Sequence, residues 1–141
     1  MTARTISEVP RGASLIALTL LLPLGLLTKR YHGPTESWVH ASAGDVLNAT
    51  FWLFLLLLVN PRLALPRAGC IVFLYCSAVE FSQIVQTPSL DALRRTLPGH
   101  LLLGSEFDVT DLGCYALGTA LGIGVAAALR QRPEDGPQSA S

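Results

Sequence analysis

Few side chains in this sequence are suited to chemistry, and they sit at the ends of apolar runs. Glu80 is the sharpest case. Twelve apolar or small residues precede it from Ala68, which places it about 18 Å along a helix at about 1.5 Å per residue. Cys76, Ser77, Glu80, Gln83 and Thr87 recur at three- and four-residue steps, so one stripe of that helix is polar and should face other helices rather than lipid. An ionisable group at such depth costs about 2.5–3.5 kcal/mol on insertion scales, so it is normally paired or functional. Asp45 and Asn48 open another apolar run, Asp108, Asp111 and Tyr115 open a third, and Lys29, Arg30 and Tyr31 close a fourth. Carboxyls and amides gathered in a low-dielectric setting can move protons, hold cations or cradle a polar headgroup.

Each acid also has a purely structural reading. Glu80 or Asp111 can pair with Arg30, Arg94 or Arg95 to hold helices in register. Asp45, Asp108 and Asp111 stand where acids cap helix N-termini. Capping does not cover Glu80, which lies toward the C-terminal end of its run, where the helix dipole disfavours a negative charge. A basic residue should compensate it, with Arg94 of the following loop as the first candidate. Tyr31, Trp38, Trp52 and Tyr115 read as anchors at the membrane interface.

The elements that must position these groups follow from composition. Half of the chain's residues are hydrophobic and 14% are charged, against about 25% in soluble domains. Ten basic residues balance ten acidic ones with no basic patch, which argues against nucleic acid as a partner. Cys70, Cys76 and Cys114 lie in apolar runs without metal-binding spacing, and His32, His40 and His100 fall in separate loop stretches, so neither a metal nor another cofactor is indicated.

Four spans emerge, at about 12–28, 44–59, 68–86 and 109–129. A signal peptide competes for the first, with Ala41-Ser42-Ala43 as its cleavage site, but Lys29, Arg30 and His32 separate that site from the apolar run. Asn60-Pro61 stops the second span. Residues 87–107 form a long loop in which Pro88-Ser89 starts a short interfacial helix and 100–104 dips into the interface or packs on the bundle. Residues 1–11 form an N-terminal segment, 12–130 the transmembrane domain, and the proline- and glycine-rich 131–141 a disordered tail. The fold class is an all-α membrane protein, a small bundle of four transmembrane helices. Gly118 and Gly122 form a Gly-x-x-x-Gly that serves close packing either within the chain or in a homo-oligomer.

Arg4, Arg11, Arg62, Arg67, Arg130 and Arg132 lie on the side of the termini, and Lys29, Arg30, Arg94 and Arg95 on the other. Six against four puts both termini in the cytoplasm of a cell-membrane protein. The polar ends of all four spans then share the outer leaflet, which assembles Asp45, Asn48, Glu80, Gln83, Arg94, Asp108, Asp111 and Tyr115 into one candidate ligand-binding cluster.

Val79-Glu80-Phe81-Ser82-Gln83, Leu90-Asp91-Ala92-Leu93-Arg94 and Phe107-Asp108-Val109-Thr110-Asp111-Leu112, with Tyr115, Gly118 and Gly122, carry a family resemblance. Gly44-Asp45-Val46-Leu47 and Lys29-Arg30-Tyr31 extend it over nearly the whole chain. The sequence resembles the uncharacterised bacterial membrane family called domain of unknown function twenty-eight-oh-nine, and more loosely the VanZ-like proteins. VanZ-like proteins usually carry an asparagine where Tyr115 stands here. The resemblance implies architecture and a shared polar cluster, and through the VanZ-like proteins a link to envelope lipids or amphiphiles. Three function classes follow. The leading one is binding of a lipid headgroup or amphiphile, with Arg94 and Arg95 contacting anionic groups and 87–107 as a lid. A membrane-embedded enzyme acting on a lipid is second, lacking a nucleophile motif, metal triad or phosphate loop. A proton or ion pathway is third.

Overall fold

The computed structural model describes residues 7–103 and 107–130. The expected tail at 131–141 and Gly104 of the loop lie outside the described residues. The described chain is all-helical and contains four helices long and apolar enough to cross a membrane. In chain order the helices are α1 (Arg11–Thr28), α2 (Glu36–Val59), α3 (Leu65–Ser82), α4 (Pro88–Arg94), α5 (Leu97–Leu103) and α6 (Val109–Leu129).

Three boundaries differ from the sequence reading. The second span begins at Glu36 rather than 44, because the Gly33-Pro34 turn starts the helix and nothing in 36–43 interrupts it. After one α-helical turn, Glu36–Trp38, it is π-helical over Val39–Ala43, a wider winding with no sequence signature here. His40 therefore sits on a helix, not in a loop. The third span runs from Leu65 to Ser82 rather than over 68–86, with Pro66 in its first turn, and the polar stripe ends at its cap, Gln83. Thr87 caps α4 instead, its hydroxyl accepting from Leu90 N–H at 3.3 Å.

The four long helices run alternately up and down. α2 packs on α1, α3 and α6, and α6 also packs on α3. Ala49, Leu53, Phe54 and Leu57 of α2 form the centre, against Ala68 and Val72 of α3 and Ala126 of α6. Small residues set the α2–α6 distance. A Cβ on Gly118 would drive into the Val46 backbone carbonyl, and one on Gly122 would meet Leu53 Cδ2 at 2.6 Å. Thr50 Oγ1 lies 2.9 Å from both the Val46 and Gly118 carbonyl oxygens, linking the two backbones where they come closest. The Gly-x-x-x-Gly face is thus occupied within the chain.

The two ends of the bundle are built differently. At the end of the termini, Val9 N–H donates to Pro61 O at 3.2 Å, Arg62 pairs with Glu8 at 3.1 Å, and Arg130 donates to Leu63 O at 2.8 Å. These contacts tie the α2–α3 turn to both flanking segments. The opposite end, where α1 and α3 stop and α2 and α6 start, holds the carboxyls. The flanks of α1 present Leu15, Ile16, Leu20, Leu24 and Leu27 outward, the surface a lipid-facing helix requires.

Candidate functional site

Glu80 anchors this end. It is 0% exposed, and three donors converge on its carboxyl. Asp108 N–H donates to Oε1 at 2.7 Å, while the Tyr115 hydroxyl and the Gln83 amide donate to Oε2 at 3.1 and 3.3 Å. An all-donor set matches an acceptor-only carboxylate. It also answers the unfavourable dipole of the α3 C-terminus, because Asp108 N–H belongs to the unpaired amides at the start of α6. Phe107 stacks on Phe81 with centroids 5.8 Å apart, which holds that amide over α3.

The expected partner of Glu80 is a correction. Arg94 does not compensate it. Its guanidinium donates to Ser82 O at 2.7 Å, to Val85 O at 3.3 Å and to Asp91 Oδ1 at 3.4 Å, so it closes the open carbonyls at the C-terminus of α3. A guanidinium committed to those carbonyls satisfies the helix end, and backbone and hydroxyl donors satisfy Glu80 at lower desolvation cost than a second buried ion would. Arg94 consequently stands apart from the cluster, on a shallow hollow shared with Arg95 and His100.

A cavity of about 470 Å³ opens beside Glu80, among α1, α2, α3, α5 and α6. Of the sequence candidates, Asp45, Asn48, Glu80, Gln83, Asp111 and Tyr115 line it. Asp108 does not bring its side chain there. Its Oδ1 accepts from Thr110 N–H at 2.8 Å as the N-cap of α6, and this hydrogen bond holds the Asp108 carboxyl below the usual carboxylate range. Asp45 and Asp111 thus share one wall with Lys29 and Glu80. Lys29 Nζ donates to the His40 carbonyl at 3.1 Å, which fixes the ammonium at the rim.

Several wall residues were not among the sequence candidates. Lys29, His40 and His100 join the polar wall, and Leu21, Leu22, Gly25 and Leu26 of α1 with Phe51 and Trp52 of α2 make an apolar one. Trp52 packs edge-on to Tyr75 with centroids 4.9 Å apart, in the groove wall. Tyr115 is buried against Glu80 rather than at the surface. The signal for the apolar wall lay in α1, whose Gly25 leaves room next to long leucines. Leu22 and Leu26 line the cavity while half of each remains exposed, so the cavity opens sideways between helices.

The fold and this cavity define a small multi-pass membrane protein with a carboxylate-rich groove at one end. The chain belongs to the family described as Protein of unknown function (DUF2809), whose model matches residues 35–119. That match spans α2 to the middle of α6 and so includes Asp45, Glu80, Gln83, Asp111 and Tyr115, while Lys29 and the leucines of α1 precede it. No solved structure matches the chain.

Proposed function

We propose that the protein binds a single membrane amphiphile, an envelope lipid, with its headgroup at the polar end of the groove and an acyl chain along α1. One observation carries the reading: a single cavity changes from leucine walls to Lys29, Asp45, Asn48, Gln83 and Asp111 along its length, and it opens between helices rather than only toward water. Small-molecule sites of this size combine an apolar wall with a few converging polar groups, and a lateral opening admits a ligand that is already in the bilayer. The basic-residue count, six against four, supports an outer-leaflet position for this end. Arg95, exposed on the shallow hollow next to α5, is placed to meet anionic groups of surrounding lipid.

Tryptophan fluorescence tests the reading. The chain has two tryptophans, and Trp38 is 63% exposed whereas Trp52 lies in the groove wall. In a Trp38→Phe variant in detergent, lipid with a brominated acyl chain should quench Trp52 saturably at about one lipid per protein. Linear quenching that follows lipid fraction without saturation would mean that no groove lipid is held. Asp45 and Asp111 on one cavity wall support a second reading, an enzyme acting on that same lipid with the two as acid and base. Conversion of the bound lipid over time would establish that reading, and unchanged lipid would remove it.

A further inference from the structure

α1 is the least buried of the four spans, and its packing is on α2. Leu21, Leu22, Gly25 and Leu26 of α1 line the groove, and α3 lines it through Val79, Glu80 and Gln83 while packing on α2 and α6. The cavity therefore separates α1 from α3. Leu22 and Leu26 stay 56% and 51% exposed, so the sideways opening runs along this part of α1.

Two features make the same stretch the part of the wall that can move. Pro23 stands inside the helix, exposed, and has no N–H to donate to the Thr19 carbonyl, so the hydrogen-bond ladder is interrupted where the groove-lining segment begins. A carbon added to Gly25 meets nothing within 4 Å, so no side-chain packing fixes the backbone there. The segment is held at its far end instead. Lys29 Nζ donates to the His40 carbonyl at 3.1 Å, and His40 Nε2 lies 2.7 Å from the Tyr31 carbonyl oxygen. A carbonyl only accepts, so that ring nitrogen is the donor. One bond runs from the end of α1 to α2 and the other runs back, which makes a clasp at the π-helical turn of α2. Both bonds are exposed, so the clasp is weak enough to open and close.

We infer that Pro23–Lys29 is a lateral gate: it bends at Pro23, moves away from α3 to admit a lipid from the bilayer, and is shut by the Lys29–His40–Tyr31 clasp. The inference rests on the amphiphile reading and adds the route of entry and its control. Gates of this kind turn on a few backbone positions that absorb the change, and here Pro23 and the Gly33-Pro34 turn bound the moving piece. A proline that lipid merely tolerates would leave movement across the groove unaltered when replaced.

Two readouts separate the gate from its ligand. Spin labels at Leu27→Cys of α1 and Ala78→Cys of α3, both exposed positions, report the width of the opening by double electron–electron resonance in lipid-free detergent. Cys70 and Cys114 are changed to serine for this purpose, and Cys76 is buried. The labelled parent should show a short and a long distance. Pro23→Ala restores the missing donor and should reduce the long population about tenfold. Lys29→Met and His40→Phe, either of which suffices if it folds, should raise that population about two- to tenfold, the worth of one exposed hydrogen bond. Exchange of phosphatidylglycerol with a brominated acyl chain, followed through Trp52 in the Trp38→Phe chain, should slow in Pro23→Ala and quicken in the clasp variants by similar factors. One distance distribution shared by the parent and every folded variant would overturn the gate, and saturable quenching in those same proteins would leave the amphiphile reading intact. Distances that shift while exchange rates stay constant would overturn it as the entry route. Absence of saturable quenching would remove the amphiphile reading, whatever the distances do, and lipid entry through the gate with it.

Discussion

Replacing Glu80 probes the cluster most sharply, because three donors depend on one side chain. Glu80→Ala leaves the Tyr115 hydroxyl, Asp108 N–H and the Gln83 amide without their acceptor. Each stranded buried donor costs about 1–3 kcal/mol, and the loss of methylene packing adds to it, so a total of about 3–5 kcal/mol is expected. Glu80→Gln should cost only about 1–2 kcal/mol. Its amide oxygen can still accept from Asp108 N–H, the Tyr115 hydroxyl can turn to accept, and Gln83 can offer Oε1 by rotating its amide. Equilibrium unfolding in mixed detergent micelles, followed by helical circular dichroism, measures these values. A double-mutant cycle apportions them. Glu80→Gln with Tyr115→Phe should show coupling of about 1 kcal/mol, whereas Glu80→Ala with Arg94→Ala should be additive within about 0.5 kcal/mol. Coupling to Arg94 above about 1 kcal/mol, or none to Tyr115, would refute the reasoning.

Gly118→Ala should destabilise the bundle by about 1–3 kcal/mol or more, because its Cβ meets the Val46 carbonyl and α2 and α6 must separate. Gly124→Ala, with nothing within 4 Å of the added carbon, should change stability by less than about 0.5 kcal/mol in the same unfolding assay. Asp108 has a folded-state carboxyl pKa below its ordinary value, so its contribution is complete above about pH 4 and is lost as pH falls through the lower folded value. Asp108→Asn should therefore lower Tm at pH 7 and differ from the parent progressively less below about pH 4 in a thermal scan. Reporters fused to both termini should give cytoplasmic signals and one inserted at Thr96 an external signal, and the reverse pattern would invert the proposed orientation.

The spans were legible because lipid demands long uncharged runs, and α1 and α6 end within a residue or so of their expected limits. Glu80 was legible for the same reason: an acid inside such a run must have a partner, and its stripe with Cys76, Ser77 and Gln83 is buried together. The identity of that partner was not legible. Sequence shows side chains, and the main compensation is a backbone N–H of Asp108 whose position depends on how α6 starts beside α3. Arg94 was misassigned because the carbonyls at a helix end attract a guanidinium as a carboxylate does, without leaving a pattern in residue types. The π-helical turn of α2 at Val39–Ala43 and the room beside Gly25 are likewise products of packing.

Native mass spectrometry of the parent chain and of Gly25→Leu tests the central claim most directly. Gly25 lies on the groove wall, and a carbon added there meets nothing within 4 Å, so leucine can grow into the space without disturbing the helices. The parent should leave its detergent with one lipid attached, and Gly25→Leu should leave bare while unfolding at the temperature of the delipidated parent. Equal lipid retention by the two proteins would contradict the account, as would a parent that carries none.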